Sequence, residues 1–137
     1  MIKLRIITPN KVILEEDIKS ITVPGIAGEM TILPNHANLF TLLSEGVVKI
    51  NFERKEDYLA IGGGYLETNG NYVNLLVSRA YGQDIVNQTT TEKALKDAKN
   101  MLIKAKSKEE KIEANTLLRR SIVDMKLIKK RRKTRFN

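Results

Sequence analysis

Tyr65-Leu66-Glu67-Thr68-Asn69-Gly70-Asn71-Tyr72-Val73 is the stretch whose reading decides the fold class of the first half of the chain. Asn69-Gly70 lies between runs of Tyr, Leu, Thr and Val that suit a pleated, half-buried surface. A two-residue type I′ turn needs positive φ at both positions, which Asn and Gly tolerate, so the stretch predicts a β-hairpin. Directly upstream, Gly62-Gly63-Gly64 lacks the third spaced glycine, the lysine and the following helix of a phosphate loop. It reads instead as a bend or a close backbone approach within a strand.

Working outward, the same period of two recurs at the N-terminus, where Ile2, Leu4 and Ile6 alternate with Lys3 and Arg5. Further short strands are expected over residues 12–14, 18–23, 30–33, 47–52, 58–62 and 71–78, punctuated by Pro24-Gly25, Pro34-Asn35 and Gly46. The acidic run Glu15-Glu16-Asp17 reads as a solvated turn between strands rather than a metal site. Short strands in this succession, with no helix between them, indicate an all-β antiparallel sandwich or flattened barrel over residues 1–84.

Beyond that point the composition changes. All three prolines and all eight glycines precede residue 83, as do six of the seven aromatics. Residues 1–87 hold 8 basic and 10 acidic side chains, whereas residues 88–137 hold 16 and 6. The second segment, 88–137, reads as an antiparallel two-helix hairpin. Thr89-Thr90-Thr91-Glu92 and Ser107-Lys108-Glu109-Glu110 both fit a capping box, so two helices are expected, separated near Lys106. The expected apolar stripes are Ala94, Leu95, Ala98, Met101, Leu102 and Ala105 on the first helix. On the second they are Ala114, Leu117, Leu118, Ser121, Ile122, Met125 and Ile128. Helices of about 15 residues are marginal in water, so the hairpin needs packing against a partner, either the sandwich or another protein. The cluster Lys129-Lys130-Arg131-Arg132-Lys133 is expected to fray.

Chemistry-bearing patterns are scarce. With no Cys, the 137-residue chain holds no disulfide, cysteine nucleophile or Cys-based zinc site. His36 has no second His to share a metal, and no nucleophile elbow accompanies it. No apolar run approaches the roughly 20 residues of a membrane span, and the start does not resemble a signal peptide, so a soluble intracellular protein is expected. The net charge of +8 is compatible with phosphate binding by the basic tail, with an acidic protein partner, or with a solvated helix face. Phe136 is the one aromatic after Tyr81, which leaves base stacking little to work with.

The segment Val23-Pro24-Gly25-Ile26-Ala27-Gly28-Glu29-Met30-Thr31-Ile32-Leu33-Pro34-Asn35-His36-Ala37-Asn38-Leu39 resembles the signature of the ε subunit of F-type ATP synthase. Leu43 through Gly46-Val47-Val48-Lys49-Ile50, then Gly62-Gly63-Gly64-Tyr65-Leu66-Glu67, continue the resemblance in the family's order, and the helical hairpin completes it. The resemblance implies a ten-stranded sandwich followed by two helices, in a non-catalytic subunit with no cofactor. Such a subunit binds the foot of the rotating γ subunit and rests on the c-ring at the cytoplasmic face of the cell membrane, reaching the membrane only through the complex. The complex makes ATP from ADP and phosphate with a transmembrane ion gradient, and in many members the helices rise along γ and restrain ATP hydrolysis.

Residue roles follow by the same resemblance. Glu29 and His36 correspond to loops that face the ring, while Gly25, Gly28 and Gly46 serve turns. Arg119, Arg120, Lys126, Lys129 and Lys130 are candidates for pairing with the acidic segment of the catalytic β subunit. Two departures stand out. Asn38 replaces a usual proline, and Ile85-Val86-Asn87-Gln88-Thr89-Thr90 lacks the aspartate and arginine of the members that bind ATP on the hairpin, so no tight ATP site is expected. Arg120 aligns with one of the second helix's arginines, but Asp124 falls at the other. The alternative reading is a free-standing basic nucleic-acid-binding module, with a steep salt dependence and no need of γ.

Overall fold

Strict alternation along Ile2–Ile7 (β1) buries Ile2, Leu4 and Ile6 and leaves Lys3 and Arg5 in solvent. The same pleat repeats through a computed structural model that describes the backbone of residues 1–135 and the side chains of residues 1–130. The remaining strands are Val12–Ile18 (β2), Ser20–Gly25 (β3), Gly28–Ile32 (β4), Leu39–Leu43 (β5), Gly46–Asn51 (β6), Glu56–Ile61 (β7), Gly64–Thr68 (β8), Tyr72–Val77 (β9) and Ala80–Gly82 (β10). Two helices follow, Gln88–Lys104 (α1) and Lys108–Arg135 (α2). The chain divides into two compact units, Met1–Gly82 and Gln83–Asn137.

In the first unit the strands are bonded in the order β10-β7-β6-β3-β5-β8-β9-β1-β2, with β4 paired to β3. They wrap a single core of Ile2, Leu4, Ile6, Ile18, Ile21, Val23, Ile32, Ile50, Leu66 and Leu75, among others. Ten strands in a sandwich agree with expectation, but the sheet is not wholly antiparallel. β1 runs parallel to β9, with Leu4 opposite Val73 and Ile6 opposite Leu75. Parallel neighbours need a long crossover, and the seven intervening strands supply it. Two strands, β5 and β10, fall outside the expected runs. The acidic run is also corrected: Glu15-Glu16-Asp17 lies within β2, where Glu15 pairs with Lys3 and Arg5, each at 3.5 Å. Among the described residues β2 pairs only with β1, and charges on an edge strand discourage pairing with another chain.

The hairpin at Asn69-Gly70 forms, yet not with a type I′ turn. The last paired residues are Thr68 and Val73, and of the four loop residues only Gly70 has positive φ, at 91°. Local side chains dictate this wider turn. Asn69 Oδ1 accepts from the amides of Asn71 (2.9 Å) and Tyr72 (3.1 Å), while Thr68 Oγ1 donates to the Tyr72 carbonyl (2.7 Å) and accepts from the Gly70 amide (3.2 Å). The glycine run behaves as a close approach. A Cβ on Gly64 would run into the Leu76 carbonyl oxygen and one on Gly62 into Ser78 Oγ, whereas Gly63 has room.

In the second unit Asn87, not Thr89, caps α1, its side chain accepting from the Thr90 amide at 3.0 Å. Thr89 is already helical, and Glu92 accepts from Gln88 Nε2 at 3.1 Å instead of reaching back to a backbone amide. The short Asn side chain in extended backbone reaches the first free amides, which moves the start two residues upstream. At α2 half of the expected box forms: Ser107 Oγ accepts from the Glu110 amide at 3.1 Å, while the Glu110 carboxylate reaches past Ser107 to accept from the Lys106 amide at 2.9 Å.

The stripes differ in part. Ala98, Ala114, Ser121 and Ile128 are buried as expected, but Ala94, Met101, Leu117 and Ile122 are exposed, and Val123 and Leu127 are buried instead. Small residues explain the narrow seam. The buried residues of α1, Thr91 and Ala98, stand seven apart and are small, as are Ala114 and Ser121 on α2, so this stretch of the seam encloses little and the flanking Leu and Ile keep contact with solvent. The backbone of α2 continues helical through the 129–133 cluster, where fraying was expected. The side chains of Arg131, Arg132 and Lys133, and all of Phe136, lie outside the described residues.

Candidate functional site

Strands of a sandwich should present polar residues outward, and one row of this sandwich does not. Leu42 on β5 stands opposite Tyr65 on β8, Tyr65 opposite Leu76 on β9, Leu76 opposite Ile7 on β1, and Ile7 opposite Val12 on β2. Leu42, Tyr65, Leu76 and Ile7 lie on the solvent-facing parity of their strands, and a register shift between Ile6 and Ile7 brings Val12, which shares the parity of buried Ile18, into the same row, so five neighbouring strands carry an apolar band about 19 Å long at the usual strand spacing. Phe40, two residues from Leu42 on the same face, sets its ring 5.1 Å from that of Tyr65. Phe40 is 61% exposed, Leu42 51% and Val12 47%, and Ile26, whose amide donates to the Leu42 carbonyl at 3.0 Å, is 67% exposed. The next row on that face is polar beyond Phe40: Glu67, Asn74, Arg5 and Glu15 stand opposite one another in turn. Tyr72 donates to Glu67 across it at 2.8 Å, and that bond raises the phenol's pKa. A contiguous exposed apolar band with a polar border is the form of a protein-docking surface.

None of the band residues was singled out from sequence. A clue was present nonetheless: Leu39-Phe40-Thr41-Leu42-Leu43 and Val73-Asn74-Leu75-Leu76-Val77 carry apolar residues on both parities, which marks strands covered on both faces.

Glu29 and His36 occupy opposite ends of β4. Glu29 is exposed and stands opposite Pro24 beside the Gly25–Gly28 turn. His36 follows the other end, in a loop that rests on the β8–β9 turn: the Asn35 amide donates to the Gly70 carbonyl at 2.9 Å, and a Cβ on Gly70 would approach the His36 carbonyl oxygen to 2.8 Å. His36 Nδ1 donates to the Ala37 carbonyl at 2.7 Å. Among the described residues no hydrogen bond or ion pair joins Glu29 to His36. Gly25 and Gly28 close the β3–β4 turn, Gly28 with φ 137°, and Gly46 lies against the Pro24 ring.

The basic candidates do not form one cluster. Arg119, Lys126 and Lys130, at intervals of seven and four, share one face of α2, while Arg120 is turned about 100° from Arg119. Arg119, Arg120, Lys126 and Lys129 are exposed and, among the described residues, take part in no ion pair. Among the described residues no group of three or more His, Asp or Glu side chains could hold a metal ion, and no helix is long and apolar enough to cross a membrane.

What this arrangement offers is an apolar band with a polar border and, apart from it, a cationic pair of helices, which is the equipment of a docking subunit. The profile of the ATP synthase delta/epsilon chain beta-sandwich domain matches residues 1–83. The chain is 36% identical to the ATP synthase epsilon chain of Carboxydothermus hydrogenoformans, over 74% of this chain and 75% of that one. It is 38% identical to that of a Sulfurovum species, over 78% and 84%, and 31% identical to the chloroplastic epsilon chain of Tupiella akineta, over 93% and 98%. Among solved structures, a chain of the Euglena gracilis mitochondrial ATP synthase assembly of OSCP, F1 and c-ring superposes with a TM-score of 0.80 at 24% identity, over 86% of this chain and 75% of that chain, showing the same fold. The chain belongs to the epsilon-chain family of F-type ATP synthases, whose members are stalk subunits rather than catalytic ones. The comparisons lend no support to the nucleic-acid-binding alternative.

Proposed function

We propose that this chain joins the γ subunit to the c-ring in the rotor of an ATP synthase, at the cytoplasmic face of the cell membrane, and that its hairpin restrains ATP hydrolysis. The observation that carries the reading is the band of Leu42, Tyr65, Leu76, Ile7 and Val12, an apolar strip that runs across five strands and is exposed or half-exposed throughout. Its occupant in this reading is γ. A close-packed sandwich suits the role because such interiors deform little under torque.

The loops bearing Glu29 and His36 face the ring, their separation along β4 giving two footholds rather than one site. Arg119, Arg120, Lys126, Lys129 and Lys130 meet the acidic segment of the β subunit when the helices extend. Each exposed ion pair is worth roughly 0–1 kcal/mol, so restraint needs several together, and their spread around α2 favours a partner that wraps the helix. The test is capture of γ by the full-length chain, followed by ATPase assays of the assembled head with the full chain and with residues 88–137 removed. Capture by both forms with faster hydrolysis for the truncated one is expected. Failure to capture γ removes the rotor role, and equal hydrolysis rates remove the brake.

A further inference from the structure

The segment from β10 into α1 is only five residues long, 83–87, and one of its side chains has a partner far along the chain. Gln83 Nε2 donates to the main-chain carbonyl oxygen of Leu127 at 3.1 Å, in a half-buried setting and across 44 residues. Leu127 is fully buried and lies in the second half of α2, between Ser121 and Ile128 of the seam. A carbonyl inside a helix keeps a second lone pair after bonding to its own helix, so a side-chain amide can be received there without breaking α2.

We propose that Gln83 is a latch that holds the hairpin closed and so sets how readily it opens. The regulatory consequence rests on the reading of the hairpin as a brake; the latch itself does not. The hairpin opens when α2 parts from α1, and Leu127 then leaves Gln83, so the bond exists in the closed form alone and biases the equilibrium toward it. The seam gives this single bond its leverage. On α1 only the small Thr91 and Ala98 are buried, so that helix contributes little apolar surface to the seam and one hydrogen bond is a sizeable share of what holds the hairpin closed. The chemistry of the position is specific. Leucine has the bulk without the donor, glutamate replaces the donor by an oxygen that repels the carbonyl, and lysine can reach and donate.

Amide hydrogen exchange on the full-length chain tests the latch. Gln83→Leu should lower protection of the α2 amides from Ala114 to Lys130 by about 2- to 10-fold, the range a typical hydrogen bond supplies, with Gln83→Glu lower still and Gln83→Lys restoring most of it. The core amides of β1, β6 and β9 should keep their protection. Unchanged α2 protection in Gln83→Leu overturns the proposal, as does a loss spread equally over those strands, which would mean general destabilisation. ATPase assays of the complex assembled with Gln83→Leu then read the consequence, with slower hydrolysis expected. Lowered protection with unaltered hydrolysis upholds the latch and removes the brake.

Discussion

Replacing Phe40 and Leu42 together by threonine separates the docking surface from the fold. Both face solvent from β5, and threonine brings a β-branched shape that a strand accepts. Full burial of a side chain of this size is worth about 1.5–3 kcal/mol, and Phe40 and Leu42 keep 61% and 51% of their surface exposed. Covering what remains is therefore worth about 2–3 kcal/mol for the pair, or roughly 30- to 150-fold in affinity at 1.4 kcal/mol per decade. Folding should lose the Phe40–Tyr65 ring contact, about 0.5–1.5 kcal/mol, and about 1–2 kcal/mol more from the part of each side chain that the fold already covers. The assay is titration calorimetry of wild-type and doubly substituted chains against a γ-containing complex lacking this subunit, with thermal unfolding of each chain measured alone. Binding within twofold of wild type, by a chain that remains folded, would refute the assignment of the band to γ.

Three further outcomes follow from the fold. Gly64→Ala should cost at least 1–3 kcal/mol in thermal unfolding, because the new methyl runs into the Leu76 carbonyl and must push β8 from β9, whereas Gly63→Ala, whose methyl would meet nothing nearer than 3.6 Å, should unfold almost as wild type. Ser107→Ala removes the acceptor for the Glu110 amide and should destabilise the start of α2 by about 0.5–2 kcal/mol, seen as faster exchange of the amides from Glu109 to Lys111. Burial, followed by the hydrogen bond and the charge of Glu56, raises the pKa of Tyr58 above the ordinary 10.0. The folded state therefore favours the neutral phenol: this contribution is complete below pH 10 and is lost as the pH climbs through the raised value. Melting curves from pH 8 to 11 should fall less steeply for Tyr58→Phe than for wild type.

Much of the fold was legible because its causes are local. The alternation of Ile2, Leu4 and Ile6 fixes which side of β1 is buried, and Ser107 with Glu110 fixes the start of α2, since each involves residues within one turn or one strand. The misreadings arose where near neighbours compete or distant ones decide. Asn87 and Thr89 both suit a cap, and geometry selects the former. Asn69-Gly70 suits a tight turn, but Thr68 and Asn69 satisfy a wider one with their own side chains. Leu117 and Ile122 have the right helical period yet stay 43% and 40% exposed, because α1 buries only the small Thr91 and Ala98 and offers too little surface to enclose them.

By itself, then, the sequence determined a β-rich acidic half, a helical basic half, the glycines of the close approaches and the signature that places the chain in its family, all properties of short windows. Only the tertiary structure decided that residues 7, 12, 42, 65 and 76 form one apolar row, that β1 lies parallel to β9, and that Gln83 reaches Leu127. The physical reason is that a period of two tells which face a side chain takes but carries no information about the register or identity of the neighbouring strand. Those are set by the closure of the whole core, through contacts between residues tens of positions apart.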